Sequence, residues 1–236
     1  MIGFICALDV EIDGIRAMMT DPQHRTIARI TYYSGRIGSV DVVCCECGVG
    51  KVNAAIATQI MIDCYQPDGI INSGIAGSLS QKIAIGDIVI SKDCVQHDMD
   101  GTEMGDPPGE IWYNDGRRLD IPADERVTAL LQQACEGLGD TRVFVGRIAT
   151  GDTFVSLRSR RERIASMFSA LACEMEGGAV AQVCYRNGVP FSVLRCISDD
   201  YNENELVDFV KFRSLSAEKT ICVIRRFLQL IEQENG

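Results

Sequence analysis

Twice in this chain an apolar run stops abruptly on carboxylates, and that pattern limits the folds open to it. Leu171-Ala172-Cys173 leads into Glu174-Met175-Glu176, and small apolar residues resume at Ala179, Val180 and Ala181. Farther on, Val193-Leu194-Arg195-Cys196-Ile197-Ser198 ends in Asp199-Asp200. Ionised carboxylates are rarely left in apolar surroundings unless a partner or a ligand offsets their desolvation. In an extended segment Glu174 and Glu176 point one way and Met175 the other. A strand ending at Glu176, with a helix opening at Gly177, holds Glu176 at the carboxyl edge of a sheet. That edge is where open α/β sheets bind ligands. The plainer alternative is a helix whose acidic first turn complements its dipole. Repetition of the pattern at 193–200 favours the sheet edge.

Around these runs, strand-like and helix-like segments alternate. Residues 1–7 form a buried first strand, and Asp9-Val10-Glu11 follows, with Ile12, Ile15, Met18 and Met19 in a helical stripe. Glu11 therefore stands at a strand–helix junction, either as a first-turn helix carboxylate or as a group serving a site. Residues 29–35 and 39–47 read as two strands joined by a hairpin-like turn. Gly48-Val49-Gly50-Lys51 opens a helix reaching to about residue 64. It is not a nucleotide phosphate loop, because Cys45 replaces that motif's first Gly and Val52 its Ser or Thr. Asn53 likewise breaks the dinucleotide fingerprint. A short strand at 69–72 precedes a small-residue loop at 73–78, where backbone groups can approach a ligand closely. Strands at 85–95 and 142–149, a helix at 124–138 and a terminal helix at 206–231 complete the pattern. The Gly- and Pro-containing connection at 97–122 has the length of a functional or contact-making loop. This order predicts an α/β three-layer α/β/α sandwich with a central mixed twisted sheet, in one domain spanning 1–236.

Composition excludes several classes. A net charge of −10 argues against nucleic acid as a partner. The basic run at 158–163 contains Glu162 and reads as a solvated helix face. No apolar stretch approaches the roughly twenty residues of a membrane span, and Asp9 and Glu11 interrupt any signal core. A cytoplasmic chain is expected. Eleven cysteines are an odd count, and most lie in apolar runs, where a free thiol behaves as a small hydrophobe. Cys44 and Cys47 have a C-x-x-C spacing with no second pair, and His24 and His97 are the only histidines. Neither a zinc site nor any cofactor is expected.

Read in order, eight short pieces share one likeness: Ala7-Leu8-Asp9-Val10-Glu11, Gly48-Val49-Gly50-Lys51-Val52-Asn53-Ala54-Ala55, Ile71-Asn72-Ser73-Gly74-Ile75-Ala76-Gly77, Gly86-Asp87-Ile88-Val89, His97-Asp98-Met99-Asp100, Gly151-Asp152-Thr153-Phe154, Glu174-Met175-Glu176-Gly177 and Arg195-Cys196-Ile197-Ser198-Asp199. The chain resembles the 5′-methylthioadenosine/S-adenosylhomocysteine nucleosidases, within the nucleoside phosphorylase superfamily. Each piece is weak alone, and eight in register are specific. The resemblance implies hydrolysis of an N-glycosidic bond to adenine through an oxocarbenium-like ribosyl cation.

That chemistry needs a proton donor for the departing base, a group to activate water, and charge on the sugar. By resemblance Asp199 is the acid toward N7, its proton affinity raised by burial at a strand end. Glu11 activates the water, Glu176 binds the ribose hydroxyls, and Arg195 holds the water and the carboxylates. Met175 packs beneath the sugar. Phe154 stacks on adenine, the Val155 backbone reads its edge, and Ala76 and Gly77 line the purine pocket. Ser198 and Glu174 complete the substrate-binding set, Glu174 as a supporting group. Ile75 stands where relatives often carry Ser, removing one polar contact near the water. The resemblance also implies a homodimer.

Three rivals remain. A phosphorylase of the same fold needs a phosphate site after the first strand, where this chain has the acidic Asp9 and Glu11. A sibling nucleosidase for another adenosine-like tail, such as aminodeoxyfutalosine, is open because the 5′ end is not read clearly. A non-catalytic nucleoside-binding protein would have no need of Glu11, Glu176 and Asp199 together.

Overall fold

A computed structural model describes residues 1–199, 201 and 205–234. The chain runs β1 (Ile2–Cys6), α1 (Asp9–Met18), β2 (Thr20–Ile27), β3 (Ile30–Ile37), β4 (Val40–Glu46), α2 (Lys51–Tyr65) and β5 (Gly69–Ser78). It continues with β6 (Ile88–Gln96), β7 (Ile111–Tyr113), β8 (Gly116–Arg118), β9 (Asp120–Pro122), α3 (Glu125–Ala134) and β10 (Val143–Thr150). Then come α4 (Arg158–Phe168), β11 (Ala172–Glu174), α5 (Gly177–Asn187), β12 (Phe191–Asp199) and α6 (Glu205–Glu234).

The long strands are apolar on both faces because helices cover both faces. Phe4 and Cys6 of β1, Val42 and Cys44 of β4, and Leu194 of β12 face α1, α3 and α6 in one core. Ile5, Val43, Cys45 and Val193 alternate with them and face α2 and α5 in the other. A strand buried on both sides loses the polar alternation of a half-exposed one. The three layers predicted from the alternating pattern are therefore present, around a mixed sheet.

The sheet order is β11-β10-β6-β12-β5-β1-β4-β3-β2, with β9 beside β6. Its two halves differ. From β5 through β1, β4 and β3 to β2 it is an open twisted sheet. The other half curls until β11, already parallel to β10, also pairs antiparallel with β5. Five strands thereby close on themselves, and β5 belongs to both halves.

Several local expectations are corrected. Residues 73–78 are not a loop; they extend β5, since their small side chains let β11 and β12 pack against it from either side. The strand before the acidic pair stops at Glu174, not Glu176. β2 escaped the sequence reading because it is almost wholly exposed and carries Pro22 and charged residues, the features of a protected edge strand. The segment 97–122 is not plain loop, for it contains β7, β8 and β9. It is ordered by buried Asp106, which accepts from Trp112 Nε1 at 2.9 Å and Arg117 Nη1 at 2.7 Å. Nine of the eleven cysteines are buried, as thiols in apolar runs should be; Cys64 is exposed and Cys222 half-buried.

Phe227 of α6 is fully buried in the core shared with α1 and α3. Phe227→Ala is expected to destabilise the fold by about 3–5 kcal/mol, read as a lowered urea midpoint with an unchanged slope.

Candidate functional site

The site is built along the end of β5. Arg195, Cys196 and Ile197 of β12 register with Gly74, Ile75 and Ala76, while Cys173 of β11 lies opposite Gly77. The two carboxylate-ending strands thus run in opposite senses along β5, so they do not share one carboxyl edge of an open sheet. They meet because the sheet folds back. The register between β12 and β5 slips after Ile197, placing Asp199 opposite Gly77. A bulge of this kind re-aims a side chain. Here it sends Asp199 into a cavity of about 400 Å³ that is also lined by Glu11, Glu174 and Glu176.

Four carboxylates in one largely apolar cavity demand compensation. Glu11 lies in the first turn of α1, yet its side chain turns inward and is buried. Its Oε2 accepts from the backbone N–H of Ala7 at 2.8 Å and of Leu8 at 3.0 Å, and its Oε1 from Ile75 at 3.3 Å. Burial pushes the Glu11 carboxyl up, against the pull of Arg195 and of those three donors. Glu11 is therefore a first-turn helix carboxylate whose side chain also lines the cavity.

Glu174 is bonded through both oxygens. Its Oε2 accepts from the N–H of Glu176 at 3.0 Å and of Gly177 at 2.7 Å, at the N-terminus of α5 where an anion is favoured. It is ion-paired with Arg195, and the Thr150 hydroxyl donates to its other oxygen. Arg195 is itself anchored by Asn72, whose side-chain N–H₂ donates to the Ile5 carbonyl at 2.9 Å. Glu174 lines the cavity, but its oxygens are spent on protein donors.

Glu176 is held more lightly. The Gly50 N–H donates to its Oε1 at 2.9 Å, and Arg195 Nη2 lies 3.8 Å from its Oε2. Burial first, and the charge of Glu174 second, push its carboxyl up to about 7, while Arg195 pulls the other way.

Asp199 has a partner that the sequence reading missed. Arg161 of α4 is ion-paired with its Oδ2, and the Ser198 hydroxyl donates to its Oδ1 at 2.8 Å. Arg161 is only 1% exposed, whereas its neighbours Arg158, Arg160 and Arg163 are exposed. The basic run is thus not a uniformly solvated face. One signal was available: Arg161, Ile164 and Phe168 form the buried stripe of α4 at helical spacing. The expected surroundings of Asp199 also change. It is buried, but against a guanidinium, and a cation at contact favours a carboxylate.

Gly74 and Gly77 leave room for these groups. A Cβ on Gly74 would meet Glu11 Oε1 at 2.7 Å and Arg195 Nη1 at 3.1 Å. One on Gly77 would meet Asp199 Oδ2 at 2.7 Å and Arg161 Nη2 at 3.1 Å. Each glycine is a close approach between β5 and an acid–arginine site. The remaining predicted residues, Ala76, Phe154, Val155, Met175 and Ser198, all line the same cavity. Phe154 is 44% exposed at its mouth, and the Val155 carbonyl accepts from Arg161 Nε at 3.2 Å. Besides Arg161, the sequence reading did not find Thr150 or the Gly50 N–H. Asp200, the alternative acid beside Asp199, lies outside the described residues. Among the described residues no cluster of His, Cys, Asp and Glu is placed to hold a metal ion.

The chain belongs to the phosphorylase superfamily, whose family model matches residues 1–229. Within it, the chain groups with the 5′-methylthioadenosine/S-adenosylhomocysteine nucleosidases. The nucleosidase of that name from Shewanella halifaxensis is 40% identical over 216 residues, covering 89% of this chain and 91% of the relative. The S-adenosylhomocysteine nucleosidase of Streptococcus pyogenes, solved with 5-methylthiotubericidin, superposes with a TM-score of 0.90 at 33% identity, covering 96% and 95% of the two chains. The futalosine hydrolase of Helicobacter pylori also superposes with a TM-score of 0.90, at 29% identity and 97% coverage of each chain.

Glu176 generates a pH prediction. Its folded-state pKa of about 7 lies above the ordinary 4.5, so between these values the folded chain binds more protons than the unfolded one. Its contribution to stability therefore falls as pH rises through that window, by at most about 3 kcal/mol. Glu176→Gln should be more stable than wild type above pH 7 and should converge on it as pH falls toward 4.5. Urea midpoints across that range check it; a gap independent of pH would contradict it.

Proposed function

We propose that the protein hydrolyses the N-glycosidic bond of 5′-methylthioadenosine and S-adenosylhomocysteine, releasing adenine and the 5′-thio-ribose. The observation that carries this reading is the single cavity into which Glu11, Glu176 and Asp199 all open, beside Phe154 and Met175. The names of the relatives supply the substrate class.

In this mechanism the C1′–N9 bond breaks as the ribose becomes cationic. Asp199 transfers its proton to N7, so that adenine leaves neutral. Glu11 takes a proton from water as the water oxygen bonds to C1′. Burial that raises the proton affinity of Glu11 makes it a stronger base for this step. Glu176 accepts from the ribose hydroxyls, and its negative charge is favoured as the cation develops. Arg195 and Glu174 hold Glu176 and the start of α5 in place. Phe154 stacks on the purine above Ala76 and Gly77, and Met175 lies under the sugar.

Hydrolysis is favoured over phosphorolysis by the turn after β1. Its Ala7 and Leu8 N–H groups, which could otherwise bind an anion, already donate to Glu11. A phosphate dianion there would sit against a buried carboxylate, a juxtaposition costing several kcal/mol. The same reading takes the protein as a cytoplasmic homodimer. Exposed Met104, Trp112 and Leu157 support a covered surface, and no helix among the described residues is long and apolar enough to cross a membrane.

Incubation with methylthioadenosine should release adenine and free methylthioribose equally well with and without phosphate. Appearance of a ribose 1-phosphate would replace hydrolysis with phosphorolysis. Glu11→Gln should lower turnover by about two to four orders of magnitude while retaining nucleoside affinity, measured by calorimetry. Near-wild-type turnover in that variant would remove Glu11 from the role of base. Sedimentation should give a dimer at micromolar concentration; a fully active monomer would contradict it.

A further inference from the structure

Arg161 is a buried cation for which the hydrolytic scheme has no use. It lies on α4, outside the strands that supply the carboxylates, and its guanidinium is fixed on three sides. Nε donates to the Val155 carbonyl at 3.2 Å, Nη1 donates to the Ser78 carbonyl at 3.0 Å, and Nη2 pairs with Asp199. Its two carbonyl acceptors belong to the segment after β10 and to the end of β5, so the cation is held by the walls of the cavity. Gly77 closes over the pair, with no room for a methyl group. These contacts fix a charge against the carboxylate proposed to carry the proton.

We infer that Arg161 is a positioning residue that holds Asp199 as a carboxylate in the empty site, so that the proton for the departing base enters only when the purine does. The inference rests on the hydrolytic reading for its consequence, and on geometry for its premise. A carboxylate beside a guanidinium and a hydroxyl donor is stabilised in its charged form. Among the described residues, those facing Asp199 include Arg161 from α4, Ser198 on its own strand, and the Cys173 thiol from β11, whose proton affinity is raised by burial first and then by the charges of Glu174 and Asp199, against the pull of Arg161. Glu11, Glu174 and Glu176 line the same cavity. Of these, Arg161 is the cation in contact with Asp199.

The purine changes this balance. N7 of adenine carries a lone pair, and a lone pair facing a carboxylate is an acceptor facing an acceptor. A proton taken from solvent onto the Asp199–N7 contact resolves it. As C1′–N9 breaks, that proton stays on N7 and Asp199 returns to its pair with Arg161. The proton released by water to Glu11 leaves to solvent, so the cycle consumes one water and no net proton. An acid held beside a cation is also a stronger acid once protonated, which favours transfer to the base.

Two measurements test this. The first needs no turnover: the Asp199 carboxyl carbon, labelled and assigned by its loss in Asp199→Asn, is followed by NMR against pH in the free protein. Wild type should show an ionised Asp199 through the neutral range. In Arg161→Gln, which keeps a hydrogen-bond donor and removes the charge, its titration should rise by about one pH unit or more, a tenfold gain in proton affinity. Arg161→Lys should restore most of the difference. The second is the pH profile of kcat/KM on methylthioadenosine, where the limb set by Asp199 should move to higher pH in Arg161→Gln and back down in Arg161→Lys. A merely structural arginine would lower the height of the profile and leave its limbs in place, and that result overturns the proposal. An Asp199 resonance that titrates identically in wild type and Arg161→Gln overturns it as well. Should Arg161→Gln fail to fold, an Asp199 that already titrates as a neutral acid in the wild-type protein still refutes it, and an ionised one in both wild type and Arg161→Lys supports it. Failure of wild type to release adenine would refute the hydrolytic reading instead, while the NMR result stands by itself.

Discussion

Four carboxylates opening into one largely apolar cavity is the constraint on which the rest of this structure depends. Glu11, Glu174, Glu176 and Asp199 are all buried, and among the described residues Arg161 and Arg195 are the guanidiniums set against them. Four negative charges against two positive ones leave two to be accommodated otherwise. The chain uses backbone N–H groups for that purpose: three on Glu11, two more on Glu174 beside its arginine, and one on Glu176. Burial pushes the carboxyls of Glu11 and Glu176, both held mainly by neutral donors, up toward protonation. In the proposed mechanism a base and a ribose-binding group have use for that poise.

Backbone donors serve this purpose only if the backbone is brought to them, and that is what β5 accomplishes. Its end is paired on one side with β12 and on the other with β11, running in opposite directions, because one half of the sheet curls closed. Carboxylates from two distant stretches thereby meet across Gly74 to Gly77. Small residues there serve strand packing and electrostatics together. A methyl group at either glycine would enter an acid–arginine contact. The starts of α1, α2 and α5 converge on the same place, each with an N-terminal segment near a carboxylate.

Much of this was legible in the sequence, for definite reasons. Strands buried on both faces read as continuous apolar runs, so β1, β4, β6, β10 and β12 were found within a residue or three of their ends. The three-layer order followed from their alternation with helices. Of the site residues proposed by resemblance, all but Arg195 line one cavity, and Arg195 is tied to it through its ion pair with Glu174. What failed had one cause: a sequence reports the chemistry of a residue and its neighbours in line, but not its neighbours in space. Arg161 read as solvated because all six residues of 158–163 are charged or polar, and only its spacing to Ile164 and Phe168 hinted otherwise. β2 was missed because its strand character comes from pairing with β3, not from its own polar residues. The stretch 73–78 read as loop because small residues suit both a loop and a crowded strand.

The sequence by itself determined the layers, the strand ends that carry acids, and the family to which those acids belong, since each is written in local pattern and order. Only the tertiary structure decided which acid keeps which partner. That choice depends on the closure of the sheet onto β5 and on the register slip at Asp199, both products of long-range pairing. Charges interact through space with a strength set by distance and burial, and neither quantity is contained in the order of residues along the chain.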